Sequence, residues 1–141
     1  MKKWKNVCRT LVVSGALLGV VGTNIVSASN HSDKNFSFKY PAGGVGEKHT
    51  DPERKDNATA VYFHPQKVEN GRQLYAWAID GQNGEDMSDG NKYFLGSGDT
   101  AFMTNYIHEE GRMYGGVAAN LRGYTAMPMK AYGKWSPDSI R

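Results

Sequence analysis

Asn35-Phe36-Ser37-Phe38-Lys39-Tyr40 decides the fold, because polar and aromatic residues alternate in this stretch without a break. Three rings fall on one face and three polar side chains fall on the other. A period of two residues with aromatic side chains is typical of a β-strand that has one buried face. Pro41 follows at once and ends the predicted strand.

Strand patterns recur along the chain about every 10 to 15 residues, with Gly, Pro and Asn between them. Segment 72–79 has apolar side chains on both faces, which predicts a central strand covered on both sides. A strand over 59–64 is expected to stop at Pro65. The last strand, 124–135, is expected to form an edge or a bulge because Pro128 interrupts it.

No window has the pattern of an amphipathic helix of three turns. We therefore predict an all-β domain, a small antiparallel β-sandwich or barrel of about six to eight strands.

The first 28 residues have the order of a secretory signal peptide. A basic head comes first and an apolar run from Leu11 to Val21 follows. Val26-Ser27-Ala28 then offers aliphatic and small residues at the positions that a signal peptidase reads. We predict a helical signal peptide over 1–28, cleavage near Ala28 and a secreted, extracellular protein.

The rest of the chain has the length of one domain. We predict a disordered N-terminus over 29–34 and a single β domain over 35–141. Long loops are expected at 41–57 and 80–91, where glycines and charged residues leave no face to bury.

The net charge of +3 belongs to the leader. Without the four basic residues of the first 28, 13 Lys and Arg stand against 14 Asp and Glu. A near-neutral domain has no broad field to attract nucleic acid or anionic lipid, so we predict no nucleic-acid partner. Cys8, the only cysteine, also lies in the leader. No later segment approaches the roughly 20 apolar residues that cross a bilayer.

The second predicted loop collects oxygen-bearing side chains within ten residues: Asp80, Asn83, Glu85, Asp86 and Asp89. Hard oxygen ligands on a flexible loop suit calcium. Their spacing does not match the EF-hand pattern, so the alternative is a solvated acidic loop. No other cofactor is expected.

Catalytic candidates are scattered. A hydrolase could use His49, Asp51 and His108, or His64 with Asp99, but none of these spacings matches a catalytic motif. An enzyme would need a polar cleft in which two such groups converge within hydrogen-bond reach. We therefore expect no catalytic residues and keep a small secreted cell-wall hydrolase as the alternative.

Aromatic residues crowd the proline-interrupted last strand, where the sequence holds Tyr124, Tyr132 and Trp135. Rings on an exposed edge can stack on sugars, dock at a membrane interface or contact a protein partner. Burial in the core is the favoured interpretation, because aromatic strands are usually packed. The binding hypothesis is that these three residues form the contact edge.

Three segments carry a family resemblance: Ala131-Tyr132-Gly133-Lys134-Trp135-Ser136-Pro137-Asp138-Ser139, Arg54-Lys55-Asp56-Asn57-Ala58-Thr59, and the hairpin around Gly111. With the leader, they resemble a family of small secreted Gram-positive proteins of unknown function, similar in size and ending to bacteriocin-type precursors. The resemblance implies a secreted β domain. Export, small size, near-neutral charge, the lack of a catalytic motif and the aromatic residues near the end favour a non-catalytic, bacteriocin-like factor. Its target would be a bacterial cell-envelope component or a protein, and a matrix or surface structural component is a further alternative.

Overall fold

Nine strands and one 3-10 turn (Glu69–Gly71) make up the domain, and the computed structural model describes residues 30–139. The predicted signal peptide and its cleavage site lie outside the described residues. The strands are β1 (Lys34–Tyr40), β2 (Lys48–His49), β3 (Glu53–Arg54), β4 (Val61–Val68), β5 (Leu74–Asp80), β6 (Tyr93–Leu95), β7 (Ala101–Met103), β8 (Tyr114–Leu121) and β9 (Met129–Ser136).

Two antiparallel sheets pack face to face. Sheet A has the order β1-β9-β4-β7, and sheet B has the order β2-β8-β5-β6, with β3 also paired to β8. The predicted antiparallel sandwich is confirmed. The strand number exceeds the expected range because two strands have only two residues each.

The alternation of β1 builds the core as its pattern predicts. Phe36, Phe38 and Tyr40 are buried, and the Phe36 ring stacks on Phe63 of β4 with centroids 4.7 Å apart. The Tyr40 hydroxyl donates a hydrogen bond of 2.8 Å to the carbonyl of Ala119, which ties sheet A to sheet B. Burial, together with the charge of Glu47, raises the pKa of Tyr40, so the phenol remains a donor.

Strand β5 is central, as its two apolar faces predict, with β8 on one side and β6 on the other. Leu74, Ala76 and Ala78 face the main core. Trp77 and Ile79 lie on the opposite face and form a second buried cluster. The Lys92 ammonium lies 4.5 Å from the centre of the Trp77 ring and covers part of it.

The expected end of β4 at Pro65 is wrong, because the strand continues to Val68. The Pro65 carbonyl accepts a hydrogen bond of 2.8 Å from Gly98, beyond the end of the β7 pairing. The N–H that proline lacks therefore falls on the side of β4 away from β9. A register shift between Pro65 and Lys67 forms the bulge that absorbs the irregularity.

The last strand is not an edge. Strand β9 begins at Met129, directly after Pro128, so the proline stays outside the ladder. β9 then pairs with β1 along one side and with β4 along the other. The expected edge position is wrong because the proline marks where this strand begins.

The segment expected to form the long loop 41–57 contains β2 and β3. These strands pair with β8, and the amide of Thr50 donates a 3.0 Å hydrogen bond to the carbonyl of Val117. Two-residue strands are too short to show alternation, which is why no pattern revealed them. Loop 80–91 contains no named strand, only one bridge between Ile79 and Asp86.

A buried ion pair closes the domain near its C-terminal end. The Lys55 ammonium lies 2.7 Å from the Asp138 carboxylate, and both side chains are fully buried. Asp138 also accepts hydrogen bonds from the amides of Asn30 and Asp56.

The segment predicted as a disordered N-terminus, 29–34, overlaps β1 by one residue, because that strand begins at Lys34.

Candidate functional site

The three aromatic residues predicted to form a binding edge lie in different environments. Tyr124 is 69% exposed in the loop between β8 and β9, and Tyr132 is 42% exposed on the outer face of β9. Trp135 is only 1% exposed. The prediction that Trp135 lies on an exposed edge is wrong, because the odd-numbered residues of β9 face the core. The structure brings Trp135 into the core and leaves the two tyrosines available for binding.

Two loops meet at one end of the sandwich, which we call the tip: residues 41–47 and residues 122–128. The Gly43 amide donates a 2.7 Å hydrogen bond to the Thr125 carbonyl, and the Arg72 guanidinium donates to the Tyr124 carbonyl. Gly44 has a positive φ of 72°, and a Cβ on it would lie 2.9 Å from the Leu121 side chain. Glycine thus allows the loops to lie against each other.

The tip carries the most exposed large hydrophobic side chains of the described residues. Val45 is 70% exposed, Tyr124 is 69% exposed and Met127 is 67% exposed. Every other large hydrophobic side chain in residues 30–139 is at most 54% exposed. The three most exposed large hydrophobic side chains therefore lie at one end of the molecule, where the core does not use them.

Cationic side chains lie next to the tip. Lys39 of β1 and Lys130 of β9 are directly opposite each other in the sheet. They line a cavity of about 220 Å³ together with Tyr40, Glu69, Pro128 and Met129. Of the two carboxylates at this end, Glu47 lies 2.5 Å from His49, and Glu69 accepts a hydrogen bond from the Lys130 amide.

Charge is unevenly distributed over the rest of the sandwich. The four strands of sheet A contain no Asp or Glu, but they contain His64 and the lysines Lys34, Lys39, Lys67, Lys130 and Lys134. The two connections at the end opposite the tip, with Asp80 at the end of β5, hold six carboxylates against the cations Lys92 and Arg112. The carboxylates are Asp80, Glu85, Asp86, Asp89, Glu109 and Glu110. The domain therefore has a basic end and an acidic end.

The predicted calcium ligands have partners within the protein. Arg112 lies 2.6 Å from Asp80 and 3.0 Å from Glu85, and Lys92 pairs with Asp86. Burial alone would raise the pKa of the Asp80 carboxyl, but hydrogen bonds from Arg112 and from backbone amides outweigh it and hold that pKa below its usual value.

Of the other two predicted ligands, Asp89 lines a cavity of about 140 Å³ together with Glu85 and Asp86, and Asn83 does not. The Asn83 side chain accepts a hydrogen bond from the Glu85 amide, and Asp89 lies at a turn with a φ of 52°. Within residues 30–139, no group of three or more His, Cys, Asp or Glu side chains is arranged to hold a metal ion. The structure thus does not bring the five oxygen donors together.

The catalytic candidates do not pair as a hydrolase would require. His49 and Asp51 line one cavity of about 270 Å³, but the His49 ring bonds to Glu47. The His64 Nδ1 lies 2.9 Å from the backbone carbonyl oxygen of Asp99. The Asp99 carboxylate instead accepts a hydrogen bond from the Gly96 amide. His108 lines a separate cavity with Lys55, Asp56 and Arg112, among others.

Comparison with known proteins places the chain in a family. Residues 24–139 match the model of a family described as protein of unknown function (DUF2712). The chain belongs to this family. Among curated proteins and among solved structures, nothing matches this DUF2712 chain. Membership confirms the resemblance to a family of unknown function. No helix in the described part of the DUF2712 chain is long and apolar enough to cross a membrane.

Sequence reasoning missed two of the three apolar residues at the tip of the DUF2712 chain. Val45 stands among Gly43, Gly44 and Gly46, and Met127 precedes Pro128. A large apolar residue inside a glycine- or proline-rich loop does not belong to a strand that would bury it. This position in the sequence could have indicated an exposed apolar side chain. That the two loops are neighbours follows only from the antiparallel pairing of β1 with β9.

Proposed function

We propose that this protein is a secreted, non-catalytic factor that binds an anionic component of a Gram-positive cell envelope, as a bacteriocin-like protein does. The observation that carries the proposal is the separation of charge along the sandwich. Lys39, Lys130 and Arg72 lie around the tip, whereas carboxylates gather at the opposite end. A near-neutral domain with this distribution turns its basic end toward an anionic surface.

The two lysines of sheet A that lie next to the tip have no ion-pair partner among the described residues. Like charges directly opposite each other across a strand pair are destabilising, and Lys39 faces Lys130 in this way. Lys134, farther along the same strand as Lys130, instead donates a 2.7 Å hydrogen bond to the side chain of Asn35. An anionic ligand relieves this repulsion, which favours binding.

Cosedimentation with isolated envelopes tests the proposal. The protein is recovered from the culture medium of a Gram-positive host, and mass spectrometry of its N-terminus checks secretion and cleavage near Ala28. Lys130→Gln is expected to weaken envelope binding about fivefold, since one lysine near an anionic surface contributes ~1 kcal/mol. Binding is expected to weaken as salt is added.

Lys134→Gln is the matched control. Lys134 lies on the same strand and the same face as Lys130, but four residues farther from the tip, or about 13 Å along the strand. It is expected to retain binding close to that of the unmodified protein. Failure of the protein to bind envelopes, or equal loss in both variants, contradicts the proposal. Growth of a Gram-positive indicator strain with the protein tests the bacteriocin-like activity.

A further inference from the structure

We infer that the tip docks on the surface of an anionic lipid bilayer, with Val45, Tyr124 and Met127 entering the interface and Lys39 and Lys130 meeting the headgroups. This inference rests on the proposed function and names the envelope component.

The apolar side chains of the tip project from loops that the fold holds in place. Thr125, between the two exposed residues of its loop, accepts the Gly43 amide, and its hydroxyl donates a 3.0 Å hydrogen bond to the Met127 carbonyl. In the other loop the Gly44 amide donates a 2.9 Å hydrogen bond to the Pro41 carbonyl. These contacts present the three side chains together, so docking does not have to order the loops first.

The arrangement of chemistry at the tip matches a lipid interface. A tyrosine beside aliphatic side chains suits the boundary between acyl chains and headgroups, where the ring is apolar and the hydroxyl stays wet. Lysines behind such residues lie at headgroup depth, where anionic lipids attract them. The cavity between Lys39 and Lys130 opens at this boundary, next to Pro128 and Met129.

Other occupants fit the tip less well. A soluble polyanion would use the lysines and leave Val45, Tyr124 and Met127 in water. A stable protein partner covers about 800 Å² on each side, and three side chains on two convex loops do not provide such a surface. A bilayer uses both the apolar side chains and the adjacent charges, and it requires no matching shape.

Vesicle cosedimentation tests the inference. The protein recovered from culture medium is mixed with vesicles of phosphatidylcholine alone or of phosphatidylcholine with phosphatidylglycerol. Binding is expected on the anionic vesicles, and Tyr124→Ser/Met127→Ser is expected to weaken it about tenfold or more. All variants carry the same N-terminus, so its contribution is common to every comparison.

Tyr106→Ser/Met113→Ser is the matched control, because it removes an exposed tyrosine and an exposed methionine from the acidic end. The control is expected to bind anionic vesicles like the unmodified protein. Thermal unfolding by circular dichroism checks that both double variants fold.

Three outcomes overturn the inference: no binding to anionic vesicles, equal binding to neutral vesicles, or equal loss in both double variants. If the protein sediments with envelopes and binds a soluble polyglycerol phosphate but not vesicles, the proposed function stands and the lipid inference fails. If it sediments with no envelope fraction, the proposed function itself fails.

Discussion

At Gly133 the sandwich has no room for one extra carbon. A Cβ at this position would lie 2.2 Å from the His64 carbonyl oxygen and 2.6 Å from the Gln66 amide nitrogen. Both atoms belong to the backbone of the β4 bulge, which cannot rotate away as a flexible side chain can. The bulge at Pro65 and the glycine opposite it are therefore one feature of the fold.

We predict that Gly133→Ala lowers the free energy of unfolding by about 1–3 kcal/mol, as overpacking of a dense interior does. Urea unfolding monitored by circular dichroism measures the change. Gly96→Ala is the control, because a Cβ there would meet its nearest neighbour at 3.7 Å, an ordinary contact. Equal stability of the two variants would show that β4 moves aside at no cost.

The buried Lys55–Asp138 pair gives a second prediction at this scale. Asp138→Asn leaves the Lys55 ammonium buried without a counter-charge, so we expect a loss of ~3–5 kcal/mol in the free energy of unfolding. The exposed Arg54–Asp56 pair provides the control, and Asp56→Asn is expected to cost ~1 kcal/mol or less. A small effect of Asp138→Asn contradicts the prediction.

Burial lowers the pKa of Lys55, although the hydrogen bond and charge of Asp138 oppose this. The unfolded chain therefore binds a proton more readily than the folded chain, and this group makes stability rise with pH as its usual pKa of about 10 is approached. The Asp138→Asn variant is expected to recover part of its stability at high pH. Unfolding measured across that pH range tests the sign.

At the scale of elements, strands with long, regular patterns were predictable. The alternation of β1 and the two apolar faces of β5 both predicted the observed burial. Two of the errors arose at prolines. Pro65 lies within β4 because its missing N–H points away from β9, and Pro128 stands just before β9. A sequence does not show on which side of a strand a missing donor falls.

Loop 80–91 gives a prediction about the stability of the fold at acidic pH. The pKa values of Asp80 and Asp86 are held below their usual value because hydrogen bonds outweigh the effect of burial. Their contribution to stability is present above about pH 4 and is lost as the pH falls through the folded values. We expect Asp80→Asn to make stability depend less steeply on pH below about 4.

Urea unfolding at a series of acidic pH values measures this slope. Asp51→Asn is the control, because Asp51 is exposed and forms no ion pair in residues 30–139. The same slope for Asp80→Asn and the unmodified protein would mean that the Arg112 contact does not hold the carboxylate ionised.

For the whole molecule, we predict that the two sheets unfold together. One cluster of buried residues contains side chains from both sheets, among them Phe63 of β4 and Val117 of β8. In Trp135→Phe, Trp77 on the outer side of sheet B is the remaining tryptophan of residues 30–139. Its fluorescence and the far-UV circular dichroism are expected to change at the same urea concentration. Two separate midpoints would mean that the sheets are independent units.

The candidate site was only partly predictable, and the reason lies at this largest scale. The sequence predicted Tyr124 and Tyr132 as binding residues, and both are exposed. The near-zero charge of the predicted mature domain argued against an anionic partner. A net charge is a sum, and it conceals a basic end opposite an acidic one. That arrangement exists only after topology has placed Lys39 beside Lys130 and gathered the acidic connections at the other end.

Strand β9 pairs on both its edges, yet it follows every other described strand in the chain. During synthesis β1 and β4 are made before β9, the strand that lies between them in sheet A. Sheet A then forms only after residues 129–136 emerge. Export of the kind proposed requires an unfolded chain, and this order of synthesis keeps sheet A incomplete until most of the chain has been made.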